Sequence, residues 1–149
     1  MKILIATDGS EFSKAAINEA CANVIRPERD EVLVVSSFED AYPLMAEPFA
    51  ISAEYYQKVE EAVRDQCDVF VNEARASLQK ACPDVKVQTE ILRGSPEQQI
   101  VERAEEWGAH LIVVGSHGRG FWGRLLGSVS NGVVHHAPCS VLVVRKRKI

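Results

Sequence analysis

Apolar positions along the chain fall into short runs separated by longer amphipathic stretches. Residues 2–7, 31–36, 110–115 and 140–145 are almost unbroken in Ile, Leu, Val and Ala. Runs of that length without polar alternation predict strands covered on both faces of a parallel sheet. Residues 85–92 instead alternate Val85, Val87, Thr89 and Ile91 with Lys86, Gln88, Glu90 and Leu92. That pattern predicts a strand with a more exposed face, at a sheet edge.

The intervening stretches carry helical spacing. Ser10 stands as a cap before Phe12, Ala15, Ala16, Ala20 and Val24, predicting a helix that ends before Pro27. From residue 53 to 81, Tyr56, Val59, Val63, Cys67, Phe70, Ala74 and Leu78 recur every three or four residues, predicting one amphipathic helix with this stripe in the core. At about 1.5 Å per residue it is too long for a small domain, so its first turns are expected to bend away or reach a partner. Ser95, Pro96 and Gln98 read as a capping box opening a helix to Trp107, and Ser128–His136 reads as a last helix stopped by Pro138. Residues 39–52 form a long loop rich in Tyr42, Leu44, Met45, Phe49 and Ile51, read either as a surface for a protein partner or as an insertion folded on the domain itself.

Strand alternating with helix implies right-handed crossovers and an α/β, doubly wound, five-stranded parallel sheet with helices on both faces. The expected strand order is 3-2-1-4-5, in one domain over residues 1–149. Ligands of such sheets sit beyond the carboxyl ends of the strands where the order reverses, which would place Asp8 next to Gly115.

Composition narrows the partners. With 46% apolar and 26% charged residues and a formal charge of −4, the chain is expected to bind neither nucleic acid nor an acidic membrane. No apolar run approaches the roughly 20 residues of a membrane span, and no leader precedes the first strand, so a cytoplasmic protein is expected. Cys21, Cys67, Cys82 and Cys139 are scattered, as reduced structural thiols are. The basic Arg145–Lys148 end reads as solvated.

The stretch from Val113 to Ser130 carries the clearest ligand chemistry. Gly115, Gly118 and a Gly127-Ser128 pair follow the fourth apolar run. Glycines let backbone N–H groups approach phosphate oxygens and take positive φ, and a helix N-terminus adds unpaired donors. G-x-x-x-x-G-K-[ST] is absent, and no G-x-G-x-x-G follows the first strand. Asp8 has two readings: acceptor for a ribose hydroxyl or ligand of Mg²⁺, and turn residue with a helix-capping role. His117 and Arg119 either meet phosphate charge or are solvated. His135 and His136 diverge by about 100° on a helix and, with Cys139, do not complete a metal set. No G-x-S-x-G, H-E-x-x-H or spaced carboxylate pair indicates dedicated catalysis.

These residues resemble the universal stress protein family. Met1–Ser10 resembles its opening, Gly94-Ser95-Pro96 its mid-chain turn, Val133–Arg145 its ending, and the glycine stretch its G-x-x-G-x9-G-[ST] signature. The resemblance to ATP-binding members implies adenine and ribose against Ala6, Thr7, Asp8 and Ser37. Phosphates would meet Gly115, Gly118, Gly127 and Ser128, flanked by Val114, His117, Arg119, Val129 and Ser130. It further implies a homodimer through the strand at 140–145 and a stress-response or signalling role with at most slow ATP hydrolysis. The alternative is an interaction module of the same fold that binds no nucleotide. The chain departs from the family in three places. Eight residues, Arg119–Leu126, stand where the signature has nine, Ser37 replaces a small apolar residue, and His110 replaces a frequent Asp. One residue shortens the path by at most about 3.5 Å, which Gly120 and Gly123 are expected to absorb.

Overall fold

The computed structural model describes residues 1–40, 52–118 and 123–147. Arg119 and all but the ends of segment 39–52 lie outside the described residues. The elements are β1 (Lys2–Ala6), α1 (Glu11–Glu19), β2 (Glu31–Phe38), α2 (Ala53–Ala81), β3 (Lys86–Arg93), α3 (Pro96–Trp107), β4 (Leu111–Gly115), α4 (Ser128–His136) and β5 (Ser140–Val144). The strands form one parallel sheet in the order β3-β2-β1-β4-β5. Both the fold class and the order match the pattern of the sequence.

The unbroken apolar runs are explained by burial on both sides. Ile3, Ile5, Val32, Val34 and Val113 pack with α1 and α2 residues such as Ile17, Val71 and Leu78. Leu4, Leu33, Val35, Ile112 and Val114 face the other way, against Ile100 and Ala104 of α3 and Val133 of α4. Each fully buried Leu, Ile or Val contributes about 1.5–3 kcal/mol relative to exposure. β3 and β5 are the edges, and β3 carries the more exposed face its alternation predicts.

Three local expectations are corrected. α1 stops at Glu19, and the chain continues through a π turn, Ala20–Val24, closed by Ile25 N–H to the Ala20 carbonyl at 2.8 Å. In an α-helix residues five apart would point about 140° apart; the wider turn lets both Ala20 and Ile25 be buried. Helix α2 runs unbroken for 29 residues, but its stripe is core only from Cys67 onward. Tyr56 and Val59 are half-buried and Val63 is exposed, because the helix outruns the sheet it packs on. Ser95 precedes α3 without a side-chain capping bond, and Gln98 instead donates to Glu102 on the exposed face.

Two turns fix opposite ends of the central strands, the first at the carboxyl end of β1 and the second at the amino end of β2. Gly9 adopts φ 73°, and a Cβ there would run into the ring of Phe70 on α2. Before β2, the Asp30 carboxylate is buried and accepts from the Arg26 amide at 2.7 Å and from the Met1 amino group at 2.9 Å. Burial alone would raise its pKa, but those hydrogen bonds and the charges of the amino group and Arg29 outweigh it and hold the carboxyl below its ordinary value.

Gly9→Ala should therefore destabilise the protein by more than Gly108→Ala, whose φ of 71° is similar but whose Cβ would meet nothing within 4 Å. The left-handed backbone alone costs about 1–2 kcal/mol; equal losses in urea denaturation would deny the Phe70 contact its part. Asp30 has a lowered folded pKa, so its contribution is complete above about pH 4 and is lost as pH falls through that lowered value. Asp30→Asn should lower stability at pH 7 and flatten the acid limb of a stability–pH curve; an unchanged limb would contradict this.

Candidate functional site

At the carboxyl ends of β1, β2 and β4 lies a cleft of about 340 Å³, within the usual range for small-ligand sites. Ala6, Val35 and Val114 form an apolar floor at the strand ends, and Pro96 and Ile100 of α3 form a wall. Gly115, His117, Gly118 and Gly127–Ser130 make the opposite side. Parallel pairing of β1 with β4 puts the turn after β1 beside the turn after β4.

The turn reading of Asp8 holds, and it occupies one of the two carboxylate oxygens. Its Oδ1 accepts from the Ser10 amide at 2.9 Å and the Ser13 hydroxyl at 3.1 Å, fixing the turn into α1. Ser10 in turn caps α1 by accepting from the Ser13 amide. Asp8 Oδ2 faces Gly118, where a Cβ would stand 2.8 Å away. Thr7 is buried, donating to Ser13 Oγ and accepting from the Gly9 amide, both at 3.2 Å.

The site glycines serve close approach rather than unusual dihedrals. A Cβ on Gly115 would meet the Phe12 backbone at 2.7 Å. Positive φ occurs at Gly9, Gly94 and Gly108 and not at Gly115, Gly118 or Gly127, which corrects the expectation for this stretch.

The two ends of the glycine stretch are tied together. Gly127 N–H donates to the Ser116 carbonyl at 2.9 Å, and buried Ser130 donates to the carbonyls of Ser116 at 2.9 Å and Gly127 at 3.1 Å. His117 is buried rather than solvated: its ring lies 5.1 Å from that of Phe12, and its nitrogens engage Ser116 Oγ and the Leu125 carbonyl. A carbonyl only accepts, so Nε2 carries a proton toward Leu125. Arg145, just after β5, donates to the Arg124 carbonyl at 2.9 Å. Beyond Gly127, the first-turn amides of α4 have no intrahelical acceptor and form the positive end of the helix dipole.

Ala6, Thr7, Asp8, Ser37, Val114, Gly115, His117, Gly118, Gly127, Ser128, Val129 and Ser130 all line this one cleft. Ser13, Val35, Ser36, Pro96 and Ile100 line it as well and escaped sequence reasoning. The signal available for them was the strand order itself, which sets the start of α3 across from the end of β2. Among the described residues no three His, Cys, Asp or Glu side chains gather as metal ligands. His135 and His136 end α4 with ring centroids 6.4 Å apart. No helix among the described residues is long and apolar enough to cross a membrane.

The universal stress protein family model matches residues 1–145. A universal stress protein of Methanocaldococcus jannaschii is 36% identical over 99% of this chain and 83% of its own length. One of Mycolicibacterium smegmatis is 35% identical over 99% of this chain, which spans 46% of that longer relative. Among solved structures, the hypothetical protein MJ0577 superposes with a TM-score of 0.82 at 26% identity, covering 99% of this chain and 97% of that one. The same fold is shared with a universal stress protein in complex with cAMP, TM-score 0.67 at 22% identity over 97% and 96% of the two chains. It is shared too with an Arabidopsis thaliana family protein with AMP bound, TM-score 0.71 at 18% identity over 99% and 92%. With residues 1–145 matched and a relative 36% identical over 99% of this chain, the protein belongs to the universal stress protein family.

Proposed function

We propose that the cleft binds ATP and that the protein is a cytoplasmic, single-domain stress or signalling module. The observation that carries this is the meeting of Asp8 Oδ2 with Gly118 beside the N-terminus of α4. Backbone donors and a helix dipole there suit phosphates, and a carboxylate suits a ribose hydroxyl or Mg²⁺. The apolar floor and the Pro96–Ile100 wall suit a planar base. The relatives of the same fold in complex with cAMP and with AMP bound agree with an adenine nucleotide.

Mg²⁺ fits the donor set in a limited way. It usually takes one or two carboxylates and completes its shell with water and substrate phosphates; Asp8 Oδ2 would be the protein ligand, and the ion would neutralise phosphate charge. Asp8 and His117 are the titratable groups that line the cleft among the described residues, and both also hold its frame. Hydrolysis is therefore at most slow.

A homodimer through residues 140–145 is part of the proposal. β5 is an edge strand whose Val141, Leu142 and Val143 are only half-buried, as a strand awaiting a partner would be. A second reading, a protein-interaction module, is favoured by the part of α2 before Cys67, where Tyr55 and Val63 are exposed. The partner surface proposed for segment 39–52 adjoins that helix in the chain and belongs to the same reading.

Titration of ATP with Mg²⁺ into high-micromolar protein should give binding heat, and millimolar ATP should raise the melting temperature. Absence of both would sink the nucleotide reading. Asp8→Asn keeps an acceptor for Ser10 and Ser13 but removes the charge. It should fold normally and lose about tenfold in ATP affinity in Mg²⁺ with little loss in EDTA. Equal losses in both media would remove Asp8 as the Mg²⁺ ligand.

A further inference from the structure

Two of the four cysteines, far apart in sequence, meet in the fold. Cys21 lies in the π turn Ala20–Val24, and Cys82 caps the end of α2. α1 leads away from the carboxyl ends of the strands and α2 runs back into β3, so both residues stand at the amino end of the sheet, opposite the cleft. The Cys82 thiol donates to the Cys21 carbonyl at 3.8 Å. At ordinary bond lengths that places Cys82 Sγ within about 6 Å of Cys21 Cα, and the two side chains interact directly. Both backbones are fixed where they meet. The Ile25 amide closes the π turn on Ala20, the Cys82 amide donates to the Leu78 carbonyl at 2.7 Å, and the Cys82 carbonyl accepts from the Val85 amide at 3.2 Å. Cys82 is buried and Cys21 half-buried against the same core, on the α1 and α2 side of the sheet. The other two thiols are out of reach. Cys67 stands about 22 Å back along α2, and Cys139 packs on the opposite face of the sheet.

We propose that Cys21 and Cys82 are a redox pair, which a hydroperoxide converts to a disulfide that staples the π turn after α1 to the end of α2. Cys21 is the more exposed member and meets the oxidant. Its sulfur takes one peroxide oxygen, the O–O bond breaks, a sulfenic acid forms, and the rest of the peroxide leaves as an alcohol, or as water from hydrogen peroxide. Cys82 Sγ then attacks the Cys21 sulfur: the S–S bond forms, the S–O bond breaks, and the hydroxyl leaves as water with the Cys82 proton. Two thiols are oxidised by two electrons and one peroxide is reduced. Burial, and next the Cys82 thiol beside it, push Cys21 up to about 12, so little thiolate is present at neutral pH and closure is slow. Once closed, the bridge joins residues 61 apart in sequence, and closing a loop of that length favours the folded state. The pair is a durable staple set by sustained oxidation rather than a rapid sensor.

The test holds the reduced full chain in a small excess of hydrogen peroxide until the free-thiol count is steady, then reads that count, the disulfide-linked peptides by mass spectrometry and the melting temperature. Free thiols should fall from four to two, with one linked peptide pair carrying Cys21 and Cys82. The melting temperature should rise by about 5 °C or more, and dithiothreitol should reverse both changes. Cys21→Ser should form no linked pair and show no rise, while Cys139→Ser should keep both. A thiol count that stays at four, linkage through Cys67 or Cys139, or Cys21 oxidised to a sulfinic acid with Cys82 still free overturns the pair. A Cys21–Cys82 bridge that leaves the melting temperature unchanged or lowers it overturns the staple. Should Cys21→Ser fail to fold, the wild-type linkage and its reversal still decide.

Discussion

The structure depends first on the pairing of β1 with β4, set by the register Ile3 with Leu111, Leu4 with Ile112 and Ile5 with Val113. These two strands are over a hundred residues apart in sequence, yet their ends are held within one strand spacing. That alone brings Asp8 against Gly118. Neither partner is unusual alone: Asp8 sits in an ordinary turn, and Gly118 in an irregular segment. A side chain at residue 118 would occupy the space that the Asp8 carboxylate now holds. The cleft exists because the parallel sheet reverses its order at this place.

The same economy recurs in the hydrogen bonds around the site. Asp8 commits Oδ1 to the start of α1 and leaves Oδ2 toward the cleft. Ser130 spends its hydroxyl hydrogen on the carbonyls at both ends of the glycine stretch, and His117 and Arg145 hold the successive carbonyls of Leu125 and Arg124. The described ends of the glycine stretch are thus anchored by side chains from the turn after β4, from α4 and from the residue after β5. Of these anchors His117 and Ser130 are buried, while Arg145 lies at the surface.

Much of this was legible from residue pattern. Unbroken apolar runs gave β1, β2, β4 and β5, alternation gave the β3 edge, and chain order gave 3-2-1-4-5, because each follows from burial on one or two faces of a sheet. The predicted site residues apart from Arg119 converge on one cleft for the same reason. What was not legible depended on tertiary contact. The π turn after α1 answers to the burial of Ile25, and the exposed half of α2 to the finite width of the sheet. His117 reads in sequence as a loop histidine, and only the approach of Phe12 and Leu125 makes it an interior strut. Pro96 and Ile100 read as helix start and core, and only the position of α3 makes them a cleft wall.

We propose above that the junction of the β1 and β4 turns is a nucleotide site. A crystal structure grown with ATP and Mg²⁺ tests it most directly. Phosphate density is expected along Gly115–Gly118 and Gly127–Ser128, with a ribose or metal contact at Asp8 and a base between Val35, Ser37 and Pro96. Density for the nucleotide elsewhere on the surface, or an empty cleft at saturating ATP, would contradict it.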